Sequence, residues 1–166
     1  MKNVNFEDLY SLSSMQEGIL FHMIKNPDSG MYFEQFCFTI EGSFEVDSFS
    51  KAWQRLVLRH PIFRTFFVWE ETEKPIQIVR KDAELDCKIY DWSEYSGTQQ
   101  ERKLKTLLEE DLKKGFDLKK PPLMRIAMVK CNPEKYYFIW SFNHIILDGW
   151  SIPILFKELF ALYRGI

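Results

Sequence analysis

The chain has 166 residues, with 22 Lys plus Arg against 24 Asp plus Glu and a formal net charge of −2. That near balance excludes a nucleic-acid binder held by phosphate neutralisation, and 46% hydrophobic against 28% charged residues excludes a disordered chain. A chain of this length buries a core without disulfide or metal staples, and its 15 Phe, 7 Tyr and 5 Trp can fill that core or line a pocket.

Met1 to Tyr10 is polar and carries Glu7 and Asp8, which is wrong for a signal peptide. Leu12 to Ile24 is predicted to be a helix: Leu12, Met15, Ile19 and Met23 share a face, and Ser13 or Ser14 can cap it. Asn26 to Gly30 is a turn cluster. Phe33 to Ile40 alternates as a strand. Asp47 is the expected cap of a second helix bearing Phe49, Ala52, Trp53, Leu56 and Val57, which His60-Pro61 ends. Strands are expected at Arg64 to Trp69, Pro75 to Val79 and Cys87 to Tyr90. Thr98 and Glu101 offer a capping box for a third helix with Leu104, Leu107, Leu108 and Leu112. Leu123 to Lys130 and Tyr136 to Phe142 form a hairpin about Asn132-Pro133, and Ser151 caps a last helix ending near Arg164-Gly165. Helices and strands interleave, so the expected fold is an α/β (α+β) two-layer sandwich with a mixed β-sheet and flanking helices. No linker or repeat divides residues 1–166.

Several chemistries drop out. The seven glycines are never closer than twelve residues, so neither the G-x-G-x-x-G turn nor a P-loop fits, and G-x-S-x-G is absent. His22, His60 and His144 are too scattered for a local metal motif, so no metal is assigned. Cys37, Cys87 and Cys131 form no C-x-x-C, which points to a reduced, cytoplasmic protein. No apolar run reaches the roughly 18–20 residues of a membrane span.

The informative stretch is Trp140 to Ser151. An apolar strand runs into Asn143-His144, then three aliphatics, then Asp148-Gly149, then a helix. His144 therefore sits at a strand end where a scaffold can hold it toward a cleft. Gly149 permits a positive-φ turn and close backbone approach, and the helix start offers N–H groups to developing negative charge. His22 and His60, at helix ends, read as structural, and the run Glu109 to Lys120 reads as a solvated face.

Asn143 to Gly149 is similar to the H-H-x-x-x-D-G signature of the chloramphenicol acetyltransferase-like superfamily, which includes the condensation domains of nonribosomal peptide synthetases. Further segments resemble that family in its own order: Met15-Gln16-Glu17-Gly18-Ile19-Leu20-Phe21-His22, then Arg59-His60-Pro61-Ile62-Phe63-Arg64-Thr65, then Phe116-Asp117-Leu118 with Pro122-Leu123-Met124-Arg125. The likeness covers nearly the whole chain. Asn143 stands where the family has its first histidine; His144 is the second.

The resemblance implies the amino-terminal lobe of a condensation domain, joining a donor acyl or peptidyl thioester to an acceptor aminoacyl thioester. No cofactor is bound directly; the substrates ride on the phosphopantetheine of peptidyl carrier proteins. The other implied partners are a carboxy-terminal condensation lobe and an adjacent adenylation domain, with no nucleic acid and no membrane. His144 would position the acceptor amine or take its proton, and the Gly149 amide would stabilise the oxyanion. Asn143 either serves the site or hydrogen-bonds the backbone. Asp148 is expected to support the site through an ion pair with Arg64. The M-Q-E-G-x-L-F-H form resembles the subclass that takes a donor ending in a D-residue. Two other readings stay open: a single-lobe trimeric acyltransferase using coenzyme A, and a catalytically silent docking module.

Overall fold

The computed structural model describes residues 5–27 and 29–165. Met1 to Val4 and Asp28, part of the predicted polar start and turn cluster, lie outside them.

The first element is a strand that the sequence pattern does not announce, β1 (Phe6–Ser11). All six of its residues are exposed, so it has no inside-outside alternation to read. It is held by antiparallel pairing to β4 (Ile76–Arg80), which also pairs with β3 (Thr65–Val68), giving a small sheet in the order β1-β4-β3. Helix α1 (Ser14–Lys25) starts at a capping box in which Ser13 and Gln16 satisfy each other's backbone N–H groups.

The larger sheet has the order β2-β7-β6-β5, from β2 (Phe33–Glu41), β7 (Lys135–Asn143), β6 (Met124–Asn132) and β5 (Asp86–Asp91). It is mixed, since β5 runs parallel to β6 and the other pairs are antiparallel. Parallel pairing needs a long crossover, which α3 (Gly97–Lys114) provides. The pleat of β7 sends Phe138, Trp140 and Phe142 to one face and Ile139, Ser141 and Asn143 to the other. The first set meets Phe49 and Trp53 of α2 (Val46–Arg59) and Phe156 of α4 (Ser151–Arg164) in the main core. On the opposite face Ile139, Val129 and Cys131 pack with Trp92 against Leu104, Leu107 and Leu108 of α3.

Three helix starts differ from expectation. Asp47 does not cap α2; Glu45 precedes it without a side-chain cap bond, and Asp47 lies in the first turn, where its charge still suits the dipole. The box of α3 is Ser96 with Gln99, not Thr98 with Glu101. Gln100 explains the earlier start: buried, it donates to the Trp92, Tyr95 and Cys131 carbonyls, and that anchors the first turn to the sheet. Ser151 does not cap α4 either. It is the first helical residue, and Asp148 accepts from it.

Candidate active site

His144 is delivered by the last rung of the largest strand pair. Phe33 opposes Asn143 at the end of the β2–β7 ladder, and one step beyond it the His144 N–H donates to the Tyr32 carbonyl at 2.7 Å. The chain then turns, with Ile146 N–H donating to the Asn143 carbonyl at 3.1 Å. Ile145, Ile146 and Leu147 turn inward and are buried, which leaves the half-buried His144 ring on the outer side. Three aliphatics between histidine and aspartate are thus the anchor that holds the turn down.

The ring's orientation is fixed. Its Nδ1 lies 2.6 Å from the Leu147 carbonyl oxygen. A carbonyl can only accept, so Nδ1 carries a proton, and in the neutral ring the lone pair is on Nε2. An open groove of about 660 Å³ lies over this ring. Its walls come from α1 (Met15, Gln16, Ile19, His22), from Tyr32 and from the turn 144–148. Gln16 ties the two walls together, donating to the Ile145 carbonyl at 3.4 Å and exchanging bonds with Gln77 of β4.

The other expected site residues divide. Asn143 is 2% exposed, and its Oδ1 accepts from the Ile145 N–H at 3.0 Å. It lines a separate cavity with Met23 and Phe33, and its bond to Ile145 supports the turn. Asp148 lies on the groove wall, but its Oδ1 accepts from the Ser151 N–H at 2.9 Å and the Ser151 hydroxyl at 2.6 Å. The Ser151 hydroxyl above all, then its amide, holds the Asp148 carboxyl below the usual carboxylate range, and the nearby His144 ring adds to this.

The expected Asp148–Arg64 ion pair is a correction. Arg64 is 4% exposed and turned the other way, donating to Glu7 of β1 at 2.6 Å and to the Arg80 carbonyl of β4. Among the described residues no ion pair joins it to Asp148. Its buried guanidinium is neutralised by β1, the strand the sequence pattern missed. Gly149 also departs from expectation: the positive-φ glycines are Gly30, Gly42 and Gly115. A Cβ at Gly149 would meet nothing within 4 Å.

Sequence reasoning placed Gln16 in the first motif without giving it a role, and it overlooked Tyr32. Gln16 had a signal, being the fourth residue of an S-x-x-Q box. Tyr32 had none, because only the fold brings it beside His144. The two remaining histidines sit as expected at helix ends, with His22 Nδ1 2.7 Å from the Tyr32 hydroxyl and His60 Nε2 2.7 Å from Glu158 Oε2.

Comparison with known proteins places this geometry in a family. The Condensation domain family model matches residues 6–166. One of the linear gramicidin synthase subunits of Brevibacillus parabrevis is 44% identical over 160 residues, covering 96% of this chain and 3% of that protein. Surfactin synthase subunit 3 of Bacillus subtilis (strain 168) is 36% identical over 160 residues, covering 96% of this chain and 12% of that protein. The chain therefore spans a small part of the curated relatives it matches. Among solved structures, the first condensation domain of the CDA synthetase superposes with a TM-score of 0.84 at 18% identity, covering 97% of this chain and 40% of that one. The starter condensation domain of rhizomide synthetase gives a TM-score of 0.83 at 20% identity, covering 95% and 39%. The fold is shared with both, the motifs stand in order, and the chain belongs to the condensation-domain family of the nonribosomal peptide synthetases.

Proposed function

We propose that this chain is the amino-terminal lobe of a condensation domain, residues 1–166, and that it forms an amide bond between two carrier-bound thioesters. The supporting observation is His144, which lines an open groove while its Nδ1 is spent on the Leu147 carbonyl, leaving Nε2 as the nitrogen without a partner among the described residues.

A thioester is already activated, so placement carries most of the work; effective molarity in a well-aligned pair supplies on the order of 7–11 kcal/mol. The acceptor amine attacks the thioester carbonyl carbon, and a tetrahedral oxyanion forms. His144 Nε2 accepts a hydrogen bond from the amine and takes its proton as the C–N bond closes. The C–S bond then breaks, and the proton passes to the departing phosphopantetheine thiolate. The Gly149 N–H, on the turn that follows His144, is the donor assigned to the oxyanion, since the Ser151 N–H is spent on Asp148. Asn143 and Asp148 hold the turn, and Arg64 holds the small sheet.

The partners in this reading are donor and acceptor peptidyl carrier proteins, a carboxy-terminal lobe that closes the groove, and an adenylation domain alongside, in the cytoplasm. The motif Met15 to His22 favours a donor ending in a D-residue.

The test supplies the second lobe in trans with two loaded carrier proteins and follows the amide product by mass spectrometry. Product should form and fall by about 10²-fold or more in His144→Ala. Donors differing only in the chirality of their last residue test the subclass, the D-form being expected to turn over faster. Product from coenzyme A thioesters by a trimer of this chain alone would replace this reading with the single-lobe acyltransferase.

A further inference from the structure

Tyr32 holds a backbone conformation that a tyrosine has no intrinsic reason to adopt. Its φ is +64°, in the left-handed region that a β-carbon disfavours. Among the described residues the other non-glycine at positive φ is Glu71, in a solvent-exposed turn. Tyr32 is instead half-buried at the edge of the His144 groove. Strain of this kind persists only where surrounding contacts over-determine it.

Three contacts do so. The Tyr32 carbonyl accepts the His144 N–H at 2.7 Å, a rung beyond the last residue pair of β2 and β7. The phenol oxygen lies 2.7 Å from His22 Nδ1. The two rings are also nearly parallel, 20° apart, with centroids 6.1 Å from each other. His22 is the last residue of the first motif, and the reaction proposed above leaves it without a role.

We propose that Tyr32, clamped by His22, is a positioning residue for His144. The clamp keeps Tyr32 left-handed, its carbonyl then fixes the His144 backbone, and the fixed backbone holds Nδ1 against the Leu147 carbonyl so that Nε2 alone faces the groove. This rests on the reading that His144 Nε2 meets the amine, but the positioning itself can be observed without any reaction.

The imidazole nitrogens are therefore read by ¹⁵N NMR on the whole chain at about pH 8, where an ordinary imidazole is neutral, each ring being assigned by its loss in a single variant. The wild-type His144 signals should show the Nδ1–H form. Tyr32→Phe, which removes one oxygen, and His22→Leu should both move the His144 signals toward a mixture of the two N–H forms. His22→Asn, whose amide can occupy the place of Nδ1, should restore the wild-type pattern. With the second lobe and loaded carriers added, Tyr32→Phe should lower kcat by about tenfold with KM little changed. An unchanged His144 spectrum in both Tyr32→Phe and His22→Leu overturns the proposal, even if either variant melts earlier or turns over more slowly. A wild-type chain that makes no amide overturns the reaction reading instead, and leaves the spectra to judge the clamp.

Discussion

At the scale of single residues, the signature histidine and its neighbours do different jobs although they are adjacent in the chain. His144 is half-buried with its Nδ1 held by the Leu147 carbonyl, whereas Asn143, the residue before it, is buried and accepts from Ile145. Asn143→Ala would leave that buried N–H without a partner, and urea unfolding should register a loss of about 1–3 kcal/mol. Gly149 behaves in the opposite way. Nothing in this chain crowds a methyl group there, so Gly149→Ala should unfold at the wild-type midpoint. If substrate passes over this turn, the same variant should lose amide formation, and unchanged turnover would remove Gly149 from the oxyanion site. The motif made His144 legible in the sequence because residue type and spacing alone define it. The partners of Arg64 and Asp148 were not legible. Which of several carboxylates meets a buried guanidinium depends on which strands lie nearby, and the strand carrying Glu7 shows no alternation.

At the scale of elements, helix starts expose the limits of local pattern. Ser96 and Thr98 both begin an S/T-x-x-E/Q box, and only the buried bonds of Gln100 decide between them. Ser96→Ala should therefore cost about 0.5–2 kcal/mol in chemical denaturation, while Thr98→Ala should sit near zero. Among the described residues, local pattern located all four helices and six of the seven strands, because burial of one face is a property the sequence carries. Asp148 links the site turn to α4. Asp148→Asn retains the acceptor and should melt close to wild type, whereas Asp148→Ala should melt earlier. The folded carboxyl titrates below the ordinary 3.8, so its contribution is full above that value and fades as pH falls through the lower folded pKa. The gap in thermal midpoint between wild type and Asp148→Ala should accordingly be constant near neutrality and close in strong acid.

At the scale of the whole molecule, α1 and the head of α4, which both contribute to the groove, carry apolar side chains that reach into solvent. Met15 and Phe21 of α1 are 74% and 62% exposed, and Trp150 and Ile154 at the head of α4 are 89% and 62% exposed. Uncovered apolar surface around a site marks a place where another surface sits, which agrees with the second lobe proposed above. Trp53, Trp92 and Trp140 are buried and Trp69 is partly so, leaving Trp150 as the fluorophore in water. Adding the second lobe should shift tryptophan emission to the blue in the wild type and leave Trp150→Phe unmoved. No helix among the described residues is long and apolar enough to cross a membrane.

The pairing of β2 with β7 joins Phe33 to Asn143 and Glu41 to Lys135, so residues about a hundred positions apart lie on adjacent strands. During synthesis the early strand waits for the late one, and the turn that carries His144 takes shape only after residue 143 has emerged. Gene fusions that splice two members of this family between positions 41 and 135 would give each hybrid one half of that ladder from each parent. A junction after Asn143 would keep both strands of that ladder from one parent.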